Sequence, residues 1–347
     1  MKISVIMPSY NSIDTLESAV ASVLSSQVPE LELIIIDDAS IDGSRELLSS
    51  LAERDCRIRA VYNEKNIGVG AVRNLGLKLA TGELVAFCDS DDTVPSDGYA
   101  NMLLDIGNND IVIGGYRVLS DAGKCDTHIP RGRQKRELFY AVFSGSSLWH
   151  KMFRRSFLLE NSLSFREDVT LGEDVIFLSE LLLCRPSFAV SAHSVYNYRN
   201  RREAKRSSLT HQFTLEKFRE HIYCRTEMLR ILEPAYPECR DYIYQHFVEY
   251  LDRFFALIPE CERDEAFGEF RKYMSGYDYE NHPELFLALT GVPYSVFCTA
   301  SADTYLRAKE ELLPRDRVSA EFAAGRIGLR FALKYIKNWL RFKLFGA

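Results

Sequence analysis

Residues 63–92 read NEKNIGVGAVRNLGLKLATGELVAFCDSDD and decide the fold of the chain. Their spacing predicts an amphipathic helix over 69–79, a Thr-Gly break, and a wholly apolar strand over 84–88. Because a strand without alternation is buried on both faces, 84–88 belongs in the middle of a parallel sheet with helices on either side. Acidic and hydroxyl residues follow directly at 89–92. They are therefore predicted at the carboxyl edge of the sheet, where open α/β folds bind ligands.

The chain before this stretch has the same alternation of strand and helix. Apolar runs at 3–7, 31–36 and 58–62 are separated by segments with the apolar spacing of helices. This order predicts right-handed βαβ units and hence a parallel sheet. Each run ends in polar residues, which we expect at the same edge as 89–92: Ser9, Tyr10, Asp37, Asp38 and Asn63.

The chain after this stretch changes character near residue 212. The polar segment 120–135 reads as a long surface loop, and beyond His211 the periodicity is helical with no strand signal. We therefore expect an α/β domain over 1–212 and an all-helical region over 213–347. Within the α/β domain, further strands are predicted over 110–116, 187–190 and 195–198.

Composition and charge indicate an ordinary globular protein with a basic end. Of the 347 residues, 46% are hydrophobic and 27% are charged, and the formal net charge is −6. Residues 315–347 nevertheless carry eight Lys or Arg against two Asp or Glu. No apolar run is long enough for a signal-peptide core or for the roughly 18 residues of a membrane span. The eight cysteines show no metal-ligand spacing, so we expect reduced thiols in a cytosolic protein.

The sequence lacks the signatures of several common enzyme classes. The Gly68-Val69-Gly70 segment has no third glycine and follows the third strand, so it is no dinucleotide fingerprint. There is no Walker A lysine loop, no HExxH motif and no GxSxG elbow. The sequence therefore gives no support for a P-loop ATPase, a zinc protease or an α/β-hydrolase. The pair Asp89 and Asp91 remains, since two carboxylates one residue apart can hold a hard divalent cation.

Each candidate residue also has a purely structural interpretation. The cluster 89–92 is also typical of a turn before a helix, Asp38 of an Asx turn, and Glu173 with Asp174 of a helix cap. The basic stretch 199–206 fits either a solvent-exposed run of charged side chains or a nucleic-acid-binding site. The net negative charge of the rest of the chain argues against binding of nucleic acid. Polar residues at the end of every predicted strand favour the functional interpretation.

Four motifs together resemble those of the family 2 inverting glycosyltransferases with the GT-A fold, the bacterial type that builds cell-surface polysaccharides. They are SVIMPSYN at 4–11, DDASIDGS at 37–44, the block 66–92, and GEDVIF at 172–177. The resemblance covers about the first three-fifths of the chain. It implies a nucleotide-diphospho-sugar transferase fold, α/β and Rossmann-like, with a mostly parallel central sheet and helices on both faces.

The resemblance also implies which residues bind the nucleotide sugar. Asp38 would accept a hydrogen bond from the base, while Arg73 and Asp89 would flank the nucleotide, with Asp89 toward the ribose. The binding pocket of the nucleobase would be lined by Pro8, Ser9 and Tyr10. The diphosphate would be clamped by residues of the basic stretch: Arg201, Arg202, Ser207 and Ser208.

The resemblance further implies the metal site and the general base. Asp91, with Asp89, would bind Mn²⁺ or Mg²⁺ at the diphosphate, and Asp174, with Glu173 beside it, would be the base. These roles agree with the chemistry of transfer. A leaving nucleoside diphosphate develops negative charge that a cation and arginines stabilise, and the attacking hydroxyl needs a carboxylate base on the opposite face of the sugar.

The function expected from this resemblance is transfer of a monosaccharide, with inversion, from a nucleotide sugar to a hydroxyl of a glycan or lipid-linked glycan. The donor is expected to be a uridine nucleotide sugar and the reaction to depend on a metal. Two alternatives remain, a sugar-phosphate nucleotidyltransferase and a non-catalytic glycan-binding relative.

The basic end of the chain suggests contact with a membrane surface. Basic residues from Arg326 to Arg341 line one side of a predicted helix, and apolar residues from Leu329 to Leu344 line another. The pattern fits a helix packed on the catalytic domain, and it also fits an interfacial membrane anchor. The resulting expectation is peripheral attachment of residues 326–345 to the inner face of the cell membrane.

Overall fold

The computed structural model describes residues 1–120, 125–132, 136–200, 213–237, 239–281, 286–287, 290–292 and 294–311. These residues fall into two compact units. The first contains residues up to 200 together with 230–236, and the second contains 213–229 and residues from 237 onward. The expected site residues lie in the first unit, except for Arg201, Arg202, Ser207 and Ser208, which are outside the described residues.

The first unit is built on a mixed β-sheet. Its strands are β1 Ile3–Ser9, β2 Leu31–Asp37, β3 Ile58–Tyr62, β4 Leu84–Phe87, β5 Ile111–Ser120, β6 Cys125–His128, β7 Lys151–Arg154 and β8 Phe188–Asn200. Within the described part they follow the order β3-β2-β1-β4-β7-β5-β6, with β8 paired to β5. β1 to β4 are mutually parallel, β7 is antiparallel to both β4 and β5, and β8 is parallel to β5. The carboxyl ends of β1 to β5 and the start of β7 therefore meet at one edge, the carboxyl edge.

Helices cover both faces of this sheet. They are α1 Leu16–Leu24, α2 Ser44–Arg54, α3 Val69–Leu79, α4 Gly98–Ile106, α5 Leu138–Val142, α6 Arg155–Glu160 and α7 Glu173–Leu183. Val5 and Met7 of β1 join a buried core with α1 and α4. Ile6 points the other way and packs so closely on Gly76 of α3 that any side chain at Gly76 would collide with it. The predicted sheet with helices on both faces is thus confirmed.

Three segments differ from the sequence-based expectation. The stretch 120–135, expected as a loop, contains β6, which pairs with β5. All four residues of β6 are exposed, so the strand forms through backbone hydrogen bonds and has no apolar pattern to reveal it. The two strands expected over 187–198 form one strand, β8, whose pairing with β5 shifts register between Ile113 and Tyr116. β7, which separates β4 from β5, was not predicted.

The part of the chain after β8 that the structure describes contains helices and no strand. They are α8 Leu215–Leu232, α9 Cys239–Ala256, α10 Arg263–Met274, α11 Tyr294–Thr299 and α12 Ala302–Glu311, with a short 3₁₀ turn at Glu260–Glu262. The core of the second unit is rich in aromatic rings such as Phe218, Phe255 and Phe270, all fully buried. Among the described residues, the structure has no helix with the length and apolarity needed to cross a membrane. The expected helical region is confirmed, while the helix expected over 326–345 lies outside the described residues.

Candidate active site

The loops after β1 and β2 are tied to each other at the carboxyl edge. The N–H of Asn11 donates to Ser40 Oγ at 2.8 Å, and Asn11 Oδ1 accepts from the N–H of Ile41 at 2.9 Å. This pair of bonds joins the two loops just beyond the ends of their strands. The expected base-binding residues lie here: Pro8 is half-buried, Ser9 is buried, and Tyr10 is 52% exposed.

Asp38 fixes the loop between β3 and α3. Its carboxylate accepts hydrogen bonds from Asn63 Nδ2 at 2.8 Å and from the N–H groups of Ile67 and Gly68, both at 3.0 Å. The side chain is buried, and the loop that it holds ends at Gly68, whose φ of 87° favours glycine. A hydrogen bond from a nucleobase to Asp38 would therefore have to use carboxylate lone pairs that are not already engaged by Asn63, Ile67 and Gly68.

Arg73, in the second turn of α3, joins two of the expected site residues. Its Nη1 donates to Glu173 Oε1, and its Nη2 donates to Asp89 Oδ1 at 3.3 Å. The guanidinium also lies over the ring of Phe165, 5.7 Å from the centroid. Burial acts to lower the pKa of Arg73, but attraction to Glu173, Asp89 and Asp174 together raises that pKa overall. Arg73 and three carboxylates thus form one charge cluster.

The acidic segment 89–92 divides into a buried part and an accessible part. Asp92 is 1% exposed and accepts from the Tyr196 hydroxyl at 3.0 Å and from the N–H of Arg199 at 2.7 Å. Burial, reinforced by the charges of Asp91 and Asp89, raises the pKa of Asp92 well above its usual range. Asp92 therefore anchors the loop to β8, whereas Asp89 and Asp91 are only half-buried.

The chemistry of Asp89 and Asp91 fits a divalent cation that is shared with a ligand. Within the described ranges, no group of three or more His, Cys, Asp or Glu is arranged to hold a metal ion. A cation such as Mg²⁺ needs only one or two protein carboxylates when waters and substrate phosphates complete its octahedral coordination. Two partly accessible carboxylates at the carboxyl edge meet that requirement.

Asp174 and Glu173 differ in accessibility although they are neighbours in α7. Glu173 is 6% exposed and is paired with Arg73. Asp174 is half-buried, and its Oδ1 accepts from the N–H of Val175 at 2.8 Å. A general base must reach the proton that it removes. Of the two carboxylates, Asp174 is therefore better placed for that work.

Three residues at this edge escaped the sequence reasoning. The Tyr196 hydroxyl accepts a hydrogen bond from the Asp89 N–H at 3.0 Å and donates one to the Asp92 carboxylate. It thereby stabilises the acidic segment 89–92. Asn74 exchanges hydrogen bonds with the backbone of Phe165, which leads toward α7. Lys151 is fully buried at the start of β7. No local motif marks these residues, since Tyr196 and Asn74 act through contacts with distant parts of the chain and the burial of Lys151 follows from the place of β7 in the sheet.

Comparison with known proteins agrees with this geometry. Residues 4–160 match the family model described as Glycosyl transferase family 2. The succinoglycan biosynthesis protein ExoO of Rhizobium meliloti is 29% identical over 210 residues, which cover 56% of this chain and 60% of ExoO. The matched region spans about three-fifths of the length of ExoO, and also about three-fifths of the putative glycosyltransferase EpsH of Bacillus subtilis.

Two solved structures have the same fold at low sequence identity. S. aureus TarS 1–349 in complex with UDP-GlcNAc has a TM-score of 0.60 at 20% identity, covering 89% of this chain and 91% of that one. The mannosyltransferase PcManGT from Pyrobaculum calidifontis, in complex with GDP-Man and Mn²⁺, has a TM-score of 0.54 at 18% identity, covering 90% and 87%. The GT-A type of fold expected from the motifs is confirmed.

Proposed function

With residues 4–160 identified as a family 2 glycosyltransferase domain, we propose that this chain transfers a monosaccharide from a nucleotide sugar to a hydroxyl group of a glycan or lipid-linked glycan. The transfer inverts the anomeric carbon, the donor is a UDP-sugar, and the product belongs to a cell-surface polysaccharide. The polysaccharide pathway of ExoO and the UDP-GlcNAc bound to TarS support the choice of product and donor.

One observation carries the proposal. Arg73 contacts Asp89 just after β4 and Glu173 at the start of α7, so that the candidate metal ligand Asp89 and the candidate base Asp174 belong to the same charge cluster. Transfer needs both functions around one sugar, because the diphosphate leaves from one face while the acceptor attacks the other.

The donor side of the site uses Asp91, Asp89 and Arg73. Asp91 and Asp89 would hold Mn²⁺ or Mg²⁺, which would supply positive charge to stabilise the leaving diphosphate. The exposed ring of Tyr10 stacks on the base, beside Pro8 and Ser9, while Asp38 orients the loop against which the base lies. The diphosphate is clamped by Arg201, Arg202, Ser207 and Ser208, as the motif resemblance implies.

The acceptor side uses Asp174 as the general base. Its carboxylate removes the proton from the acceptor hydroxyl as that oxygen attacks the anomeric carbon. Glu173 stays paired with Arg73 and orients the guanidinium, because a buried, salt-bridged carboxylate is poorly suited to accept a proton from the substrate.

A sugar-phosphate nucleotidyltransferase is the less favoured alternative. Such an enzyme would have a glycine-rich, basic loop after the first strand, where this chain has Tyr10-Asn11-Ser12. A non-catalytic glycan-binding relative would have no need for the accessible carboxylates Asp91 and Asp174.

The decisive experiment is a donor panel read by release of the nucleoside diphosphate. UDP-, GDP- and dTDP-sugars are each incubated with the full chain and a set of p-nitrophenyl glycosides as acceptors, with Mn²⁺, with Mg²⁺, or with EDTA. We expect release from one UDP-sugar that requires an acceptor and is abolished by EDTA. Release of pyrophosphate from UTP and a sugar phosphate, with no transfer, would instead identify a nucleotidyltransferase.

A further inference from the structure

One face of α3 receives the chain that leads to the proposed base. Arg73 and Asn74 follow Gly70 by three and four positions in α3, so the three residues share a face of that helix. A side chain at Gly70 would collide with the carbonyl oxygen of Arg166. Glycine and asparagine are both poorer helix formers than alanine, so helix formation does not account for their presence on this face. A close contact with the segment around Arg166 does account for it.

Both ends of the Asn74 carboxamide bind that segment. Its Nδ2 donates to the Phe165 carbonyl oxygen and to Glu167 Oε1, both at 2.9 Å, and its Oδ1 accepts from the Phe165 N–H at 2.7 Å. Asn74 is 7% exposed, and a buried carboxamide is costly unless it is hydrogen-bonded in this way. Residues 163–172 form neither helix nor strand, so the two backbone groups of Phe165 take from Asn74 the bonds that a regular element would supply.

The ring of Phe165 connects the same segment to α7 and to the end of β4. It stacks on Phe177 of α7 with the centroids 4.2 Å apart, and it meets Phe87 of β4 edge to face at 5.5 Å. Phe177 follows Asp174 by about one turn of α7, and Asp89 follows Phe87 by two residues. The placement of Phe165 therefore bears on the distance between the proposed base and the proposed metal ligands.

We propose that Asn74 is a positioning residue for the transfer step, which fixes Asp174 where its carboxylate can reach the acceptor hydroxyl. The inference rests on the proposed function. Without the carboxamide, residues 163–172 and the start of α7 would be held less precisely against β4, and the base would reach the hydroxyl less often. The proposed metal ligands follow β4, which is held by its pairing with β1 and β7, so binding of the donor should be retained.

The kinetic test uses the full chain with the UDP-sugar and the p-nitrophenyl glycoside that the wild type turns over. Asn74→Ala removes the three hydrogen bonds, and Gly70→Ala displaces the same segment from a second position. We expect each variant to lower kcat roughly 10- to 100-fold, with KM for the UDP-sugar changed less than about twofold. Circular dichroism and thermal melting verify folding, and Gly70→Ala carries the test if Asn74→Ala does not fold.

A double-mutant cycle separates positioning of the base from a general loss of stability. Added to Asp174→Asn, the Asn74→Ala substitution should lower kcat less than about twofold further, because its effect requires the base. A residue that only stabilises the fold would lower kcat by the same factor in both backgrounds.

Hydrogen exchange measured by mass spectrometry tests the positioning without turnover. Asn74→Ala should accelerate exchange in peptides that cover 163–176 and leave exchange in β4 unchanged.

Two substitutions serve as controls. Glu32→Gln removes a charge at the opposite edge of the sheet, and Gly268→Ala adds a methyl group to a glycine of α10 that faces open space. Both are expected to leave kcat unchanged. Wild-type kcat in a folded test variant, wild-type exchange over 163–176, or equal effects in the two backgrounds would overturn the role of Asn74. If the wild type turns over no donor with any acceptor, the proposed function itself is wrong, which is a different result.

Discussion

At the scale of single residues, neighbouring carboxylates in this protein differ in burial and hence in what they can do. Asp92 is almost wholly buried and accepts two hydrogen bonds from β8, whereas Asp91 is half-buried. Glu173 is buried against Arg73, whereas Asp174 is more accessible. A buried, fully bonded carboxylate stabilises a loop, and an accessible one can bind a cation or a proton.

The first prediction concerns Asp91. We expect Asp91→Ala to abolish turnover and metal-dependent binding of the donor while the chain stays folded, since a half-exposed carboxylate contributes little to the core. Calorimetric titration of UDP with and without Mn²⁺ measures the binding. Asp105→Ala, at an exposed position of α4, is the matched control. Metal-dependent binding of UDP to Asp91→Ala as tight as in the wild type would show that Asp91 is not a ligand.

The second prediction concerns Asp174. Asp174→Asn should retain donor binding and lower kcat by roughly two to four orders of magnitude, the usual contribution of a general base. Asparagine can still accept from the N–H of Val175, so a residue that only caps the helix would show near-normal rates. Glu173→Gln is the comparison, and a larger loss of kcat there would assign the base to Glu173.

At the scale of elements, the acidic segment depends on β8 for its shape. Tyr196 in β8 accepts from the Asp89 N–H and donates to Asp92, both at 3.0 Å. Burial raises the pKa of the Tyr196 hydroxyl well above its usual range, which keeps it protonated and able to donate. One strand thus holds the end of another through a single hydroxyl.

The third prediction removes that hydroxyl. Tyr196→Phe leaves the Asp89 N–H and one oxygen of Asp92 without partners, which should lower the free energy of unfolding by about 1–3 kcal/mol. The donor KM should rise as well, because Asp89 moves with the loop. Urea unfolding and steady-state kinetics measure the two effects. Tyr62→Phe, at a residue that is 38% exposed at the end of β3, should change neither quantity.

A second element-scale contact lies at the opposite edge of the sheet and controls stability rather than catalysis. Glu32 in β2 accepts from Lys2 Nζ at 2.8 Å and from the N–H of Thr81 at 2.7 Å, and also from Ser4. Burial would raise the pKa of Glu32, but these hydrogen bonds together lower it from 4.5 to about 2. The carboxylate therefore joins β1, β2 and the turn before β4.

The fourth prediction follows from the sign of that shift. A carboxylate whose pKa is lower in the folded chain stabilises it above pH 4.5, and this contribution is lost as the pH falls toward 2. Glu32→Gln should therefore be less stable than the wild type at pH 7, by roughly 1–2 kcal/mol after allowing for solvent screening. The difference should shrink between pH 4.5 and pH 2. Urea unfolding at several pH values tests this, and a constant difference would contradict it.

At the scale of the whole molecule, charge is distributed unevenly between the body and the end of the chain. Residues 315–347 carry eight basic and two acidic residues, although the whole chain has a net charge of −6. A lipid-linked acceptor would make contact with a membrane surface useful, and each basic side chain near an anionic leaflet contributes about 1 kcal/mol.

The fifth prediction concerns this basic end. We propose that residues 326–345 bind the full chain to anionic membranes, so that it sediments with anionic vesicles, less at high salt, and not with neutral ones. Replacing five basic residues by glutamine should abolish sedimentation without affecting transfer to a p-nitrophenyl glycoside: Arg326, Arg330, Lys334, Lys337 and Arg341. Equal sedimentation of the substituted chain and the wild type would exclude this segment as the anchor.

The sequence by itself determined the first half of the sheet and its carboxyl edge, and its motifs agree with the family model that matches residues 4–160. The predicted strands 31–36 and 58–62 and the predicted helix 69–79 agree closely with β2, β3 and α3. Strands that are buried on both faces leave a continuous apolar run, and an amphipathic helix leaves a period of 3.6 residues, so both signals are local. The polar residues at the strand ends were predictable for the same reason.

Only the tertiary structure decided which of those polar residues are buried, paired or accessible. Arg73 and Glu173 are 100 residues apart in sequence, and Tyr196 and Asp92 are 104 apart. β7 is a short strand whose place between β4 and β5 brings Lys151 to the carboxyl edge. Periodicity reports the environment of a residue within its own element, whereas these contacts depend on how distant elements pack, so no local pattern encodes them.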